Sequence, residues 1–101
     1  MDLFRGDTFM KKIVSVYQFR KGDKFRVAIM YNAYSKEKLY EEEFIVENED
    51  DDIILEIAPE ETAKFPIGEL LLELEMTTVD GIVKTDQFML NVKADGINER
   101  N

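Results

Sequence analysis

The side chains best equipped for chemistry in this chain are carboxylates. They gather in two places, Glu41-Glu42-Glu43 and the run Glu47-Asn48-Glu49-Asp50-Asp51-Asp52. Oxygen donors at Asp50 and Asp52 could ligate Ca²⁺. An EF-hand loop, however, needs spaced acids, a Gly at its sharp turn and a closing Glu, and that pattern is missing. The run reads instead as a solvated connection that discourages edge-to-edge strand pairing. Paired carboxylates also cleave glycosides when a cleft holds them. On an extended strand Glu41 and Glu43 share one face and Glu42 takes the other. No ordered aromatic platform accompanies them, so a charged outer strand face is the expectation. No catalytic, cofactor-binding or metal residue is assigned.

Composition closes off other chemistry. The 101 residues contain no Cys and no His. That removes disulfides, thiolate nucleophiles and Cys-ligated metals. It also leaves Ser15 and Ser35 without the imidazole of a Ser–His–Asp site. The 5 glycines are scattered among turns, so no phosphate-cradling loop is present. Arg5-Gly6-Asp7 is the tripeptide that integrins recognise, but nothing marks the chain as secreted and the segment reads as a turn. Tyr17, Tyr31, Tyr34 and Tyr40 suit either an interaction face or an ordinary core and rim. With 22 acids against 13 bases the net charge is -9. Such a chain repels phosphate backbones and anionic lipid, so neither nucleic acid nor membrane is an expected partner. The start MDLFRGDTFMKK lacks a signal-peptide pattern, and the longest apolar run, Leu70-Leu71-Leu72, is far too short to span a bilayer.

The elements that must position these residues are strands. Residues 11–19, rich in β-branched and aromatic types, predict a strand closed by Arg20-Lys21-Gly22-Asp23. Phe25, Val27, Ile29 and Tyr31 share a face at period 2. Asn32 to Lys38 reads as loop. Tyr40, Phe44 and Val46 alternate imperfectly, as expected of an edge or bulged strand. Ile53, Leu55 and Ile57 alternate again. Pro59 to Phe65 is the one helix-like stretch, with Pro and acids suited to a first turn. Leu70, Leu72, Leu74 and Met76 then face one way. Val79-Asp80-Gly81 signals a hairpin, whose return strand sends Phe88, Leu90 and Val92 inward. Leu74→Asp is therefore expected to unfold the domain. FRGDTF at 4–9 echoes FRKGDKF at 19–25, and both read as basic-Gly-Asp turns leading into strands.

No helix is long enough to cover a sheet face, so a second sheet must do it. The expectation is all-β: a single domain over 1–101, an immunoglobulin-like antiparallel β-sandwich of about seven strands with one short helical turn. Residues 1–10 read as an N-terminal extension and 94–101 as a frayed tail. A small closed barrel is the structural alternative.

The order from acidic loop through short strand into PEETAKFPIGELLLELEMTTVDGIVKTDQFMLNV resembles the small immunoglobulin-like domains of tailed-phage and prophage structural proteins. The likeness is to the N-terminal domain of phage upper baseplate proteins in particular. Thr62, Ala63, Pro66, Gly68, Glu73, Asp80, Gly81, Thr85 and Val92 carry it over residues 19–93. RGDTF and KGDKF resemble the Gly-Asp-Thr-Phe opening of such domains. These motifs are turn chemistry rather than active-site chemistry. The chain departs from the outline in having two basic-Gly-Asp turns and in stopping after one domain. The resemblance implies a non-enzymatic tail or baseplate component. It would bind other phage structural proteins or copies of itself, be made in a bacterial cytoplasm and end in the virion. The competing expectation is an acidic adaptor or inhibitor from a mobile element that mimics nucleic acid. Against it, 8 of the 22 acids cluster between residues 41 and 52. A carboxylate-dependent enzyme is the third and weakest reading.

Overall fold

The computed structural model describes residues 1–13, 19–48 and 53–94. Within them lie seven strands and one helix. The strands are β1 (Asp2–Phe4), β2 (Phe9–Ile13), β3 (Lys24–Met30), β4 (Tyr40–Ile45), β5 (Ile53–Ile57), β6 (Gly68–Thr77) and β7 (Val83–Lys93), with α1 (Pro59–Thr62) between β5 and β6. They form a five-stranded sheet in the order β1-β7-β6-β3-β4 and a two-stranded sheet, β2-β5. The chain is all-β, as its alternating pattern predicts. The large sheet is mixed rather than antiparallel, because β1 runs parallel to β7, with Leu3 opposite Val92. Residues 1–10 are therefore not a free extension: Leu3 is buried, and Phe9 and Met10 begin β2. The strand expected over 11–19 starts two residues early, and its residues 14–18 lie outside the described residues, as do 95–101 of the expected tail.

Period-2 alternation puts the core where the two sheets meet. Phe25, Val27 and Ile29 of β3, Leu70, Leu72 and Met76 of β6, and Leu90 and Val92 of β7 face Phe9, Ile53, Leu55 and Ile57 of the small sheet. Each such side chain, fully buried, contributes about 1.5–3 kcal/mol. Three expected core positions are more exposed. Tyr31 is 52% exposed because β3 ends at Met30. Leu74 is half-buried, and Phe88, opposite Leu72, is 41% exposed. Among the described residues β6 and β7 run 10 and 11 residues, while β2 and β5 above them run 5 each.

Local chemistry ends the elements as expected. Pro59 opens α1, Glu60 and Glu61 occupy its first turn, and Phe65 beyond it plugs one end of the core at 1% exposure. β4 is an edge strand. The β6–β7 hairpin closes on Val79-Asp80-Gly81, with Thr78 N–H donating to Ile82 O at 2.8 Å and Gly81 N–H to Thr78 O at 2.9 Å. The echoed segments adopt the same turn. Asp7 N–H donates to Phe4 O at 3.2 Å, and Asp23 N–H to Arg20 O at 3.0 Å. The third residue of each turn is a glycine at positive φ, Gly6 at 83° and Gly22 at 95°. That is a type II turn, which demands glycine there. Among the described residues no helix is long and apolar enough to cross a membrane.

Candidate functional site

Among the described residues the carboxylates do not converge. Glu41 and Glu43 point to the outer face of the large sheet, as the strand period requires. There they share rows with Arg26 and Ala28 of β3 and Glu73 and Glu75 of β6. Arg26 Nε donates to Glu41 Oε1 at 3.1 Å and its Nη1 lies 3.9 Å from Glu75 Oε1, while Lys38 Nζ lies 3.0 Å from Glu41 Oε2. The Lys38 hydrogen bond, helped by the charges of Lys38 and Arg26, outweighs desolvation and holds Glu41 below the usual carboxylate range. Glu42 faces the other way and accepts a hydrogen bond from the Tyr40 hydroxyl. Burial first, then that carboxylate, push the Tyr40 phenol well above its ordinary range. Asp50 and Asp52 lie outside the described residues. Among the described residues no three acids, His or Cys are placed to hold a metal.

The remaining sequence candidates are occupied by the fold. Arg5 Nη2 donates to Ala63 O at 2.8 Å, and Gly6 N–H to the fully buried Thr62 Oγ1 at 3.1 Å. The Arg-Gly-Asp segment is thus seated on α1. Ser35 Oγ donates to Glu37 O at 3.0 Å. Tyr40 packs edge-on against Phe65 at 6.4 Å. Tyr31 and Tyr34 are exposed, at 52% and 93%. Tyr17 and Ser15 lie outside the described residues.

What the large sheet leaves open is an apolar cleft between the sheets, on the side where β2 overhangs β7. Its volume is about 250 Å³. Val27, Leu55 and Leu72 make its floor, and Leu74 and Phe88 its wall. Lys11, Lys12 and Asp86 stand at the mouth. β2 pairs with β5 on one edge and with no other strand among the described residues. On the opposite side of the small sheet, β5 also pairs with no further strand among the described residues, beside β4, where Ile45 and Ile54 are 56% and 52% exposed. Such a site offers hydrogen-bonding backbone beside apolar surface.

Sequence reasoning missed Lys11, Lys12 and Asp86. One signal for them exists. The inward set of β7 reads Lys84, Asp86, Phe88 before Leu90 and Val92, so its first half is too polar for a covered strand. The chain matches no protein family, no curated protein and no solved structure.

Proposed function

We propose that the chain is a non-enzymatic interaction module of immunoglobulin-like architecture. The observation that carries this reading is that, among the described residues, the outer edges of β2 and β5 pair with no strand and lie beside exposed apolar side chains. The strand order supports the architecture. In an immunoglobulin-like sandwich strands B and E are neighbours in one sheet and C, F and G in the other. β2 and β5 correspond to the first pair, and β3, β6 and β7 to the second, with β4 in the place of an added C′ strand. The positions of strands A and D, flanking β2 and β5, hold no strand among the described residues.

The same turn residues that resemble phage domains support the narrower assignment to a phage or prophage tail or baseplate. Gly6, Gly22 and the Asp80-Gly81 hairpin all sit in turns that need them. In that setting the chain contacts other structural proteins or its own copies, and is carried in the virion. Edge pairing and symmetric packing are the physical routes.

One observation favours the mimicry reading. Glu41 and Glu43 of β4 and Glu73 and Glu75 of β6, 30 or more residues apart in sequence, spread over one sheet face. Arg26 and Lys38 neutralise part of that array, so assembly remains the preferred reading.

Light scattering on size-exclusion fractions, with cross-linking against neighbouring gene products, tests the proposal. Concentration-dependent mass or a cross-linked partner is expected. A strict monomer at high concentration that recovers no partner overturns it. Binding to a basic nucleic-acid-binding protein that weakens steeply with salt would favour mimicry instead.

A further inference from the structure

We infer that the apolar cleft between the sheets binds a small zwitterion with an apolar tail, an α-amino acid of the leucine or methionine kind. Lys11 holds its carboxylate and Asp86 its ammonium group. The site goes beyond the interaction reading above and does not depend on it.

The first argument is the pairing of charges. Lys11 shares a strand face with Phe9, two residues before it, and lies opposite the buried Leu55 in the β2–β5 ladder. It therefore points from the small sheet toward the large one. Asp86 lies opposite Leu74 and shares a face with Phe88 and Leu90, so it points from the large sheet toward the small one. Both line the cleft. Among the described residues neither side chain has an ion-pair or hydrogen-bond partner. A cation and an anion are thus presented to one cleft from opposite walls without reaching each other. A ligand with one charge satisfies one wall and is repelled by the other, whereas a ligand with both satisfies the two. A zwitterion also carries no net charge, so the chain's overall charge of -9 does not repel it.

The second argument is size and lining. The cleft holds about 250 Å³. An apolar cavity of about 150 Å³ takes benzene, roughly 25 Å³ per carbon, so this one takes about ten non-hydrogen atoms. That is the size of leucine or methionine, and it is too small for a peptide. Leu72, Leu74 and Phe88 line it, and Phe88 is 41% exposed. An aliphatic side chain seated against them takes apolar surface out of water on both partners.

The test titrates the whole ¹³C-methyl-labelled chain with leucine and methionine. The methyl signals of Leu55, Leu72 and Leu74 should shift saturably, with a dissociation constant of about 1 mM or lower. Leucinamide lacks the carboxylate, N-acetylleucine lacks the ammonium group and glycine lacks the tail; each should bind about tenfold more weakly or worse. Lys11→Met should weaken leucine binding by a similar factor and leave leucinamide unchanged. Asp86→Asn should weaken leucine binding and leave N-acetylleucine unchanged. Both positions are exposed, so both variants should melt with the wild type. The site is overturned if no cleft methyl shifts, or if octanoate or octylamine binds as well as leucine. It is also overturned if a double-mutant cycle in the ligand-free chain shows that Lys11 and Asp86 already stabilise each other. None of these results moves the mass and cross-linking measurements that test the interaction reading.

Discussion

Asp23 ties together two ends of the chain 56 residues apart: its Oδ1 accepts the backbone N–H of Val79 at 3.0 Å. Its Oδ2 accepts Arg20 N–H at 2.8 Å, and its carbonyl accepts Val46 N–H at 2.8 Å. One residue, 2% exposed, thereby joins the turn before β3 and the β6–β7 hairpin through its side chain and the exit of β4 through its backbone. Asp23→Ala would strand two part-buried N–H donors that now bond to a carboxylate. The expected loss is about 3 kcal/mol, a fall in Tm of roughly 12–24 °C for a domain of this size. Urea unfolding checks it, with an unchanged m-value marking a pure stability effect. A loss under 1 kcal/mol would show that water replaces the carboxylate.

Gly22 and Gly81 separate two costs of replacing a glycine. Both have positive φ, at 95° and 86°. A Cβ built on Gly22 would lie 2.9 Å from Val79 Cγ1, whereas one on Gly81 meets nothing within 4 Å. Gly81→Ala should cost only the backbone strain, about 1–2 kcal/mol. Gly22→Ala should cost more, and adding Val79→Ala should recover the excess but not the strain. Equal losses for the two single variants would remove the steric argument.

The same contrast shows what the sequence made legible. Strand-forming alternation, the Pro59 start of α1, the edge character of β4 and the Asp80-Gly81 turn each follow from rules that act within a few residues. The recurrence of FRGD and RKGD turns was legible for the same reason. The bond from Asp23 to Val79 was not, because no local pattern says which turns will meet. Neither was the parallel seat of β1 on β7, which a three-residue strand takes from its partner. The cleft was missed because periodicity tells which face of β7 points inward but not how far the opposite sheet reaches. Phe88 fits the inward pattern and is nonetheless uncovered.

Thr62 performs for the first Gly-Asp turn what Asp23 performs for the second. Its hydroxyl accepts Gly6 N–H at 3.1 Å and donates to Asp7 O at 2.8 Å, at 0% exposure. Thr62→Val keeps the shape and removes both bonds. A loss of about 1–3 kcal/mol is expected, with Thr62→Ser retaining most of the stability. Thermal melts of the pair check it. A Thr62→Ser variant that melts below Thr62→Val would mean the methyl group, not the hydroxyl, matters.

Leu74→Asp, a disruptive change by sequence pattern, should be milder than that pattern suggests. Leu74 stands half-buried in the cleft wall, so a carboxylate there can turn to water. Leu90 is 0% exposed in the core, opposite Leu70 in the β6–β7 ladder. Leu90→Asp buries an unpaired charge at a cost of several kcal/mol, comparable with the whole stability of a small domain. Circular dichroism should show Leu90→Asp unfolded at 25 °C and Leu74→Asp folded with a lowered Tm. The reverse order would invert the assignment of the covered region.

Acid should weaken the sheet edges through Asp2 and Glu41. Lys93 Nζ lies 3.3 Å from Asp2 Oδ2 and its hydrogen bond lowers the Asp2 carboxyl below the usual range; Lys38 does the same for Glu41. A carboxyl lowered in the folded state stabilises above its unfolded value, near pH 4, and that stabilisation disappears as pH falls through the folded value. These two groups should therefore add nothing to the pH dependence between pH 7 and 5 and should destabilise the chain below about pH 4. Both pairs are exposed, so 1 M salt should shrink the effect. Lys38→Met removes the leading cause at Glu41, and NMR titration of that carboxyl should shift toward ordinary values while Asp2 stays put. Identical Glu41 titrations in the variant and the wild type would show that Arg26 alone sets its charge.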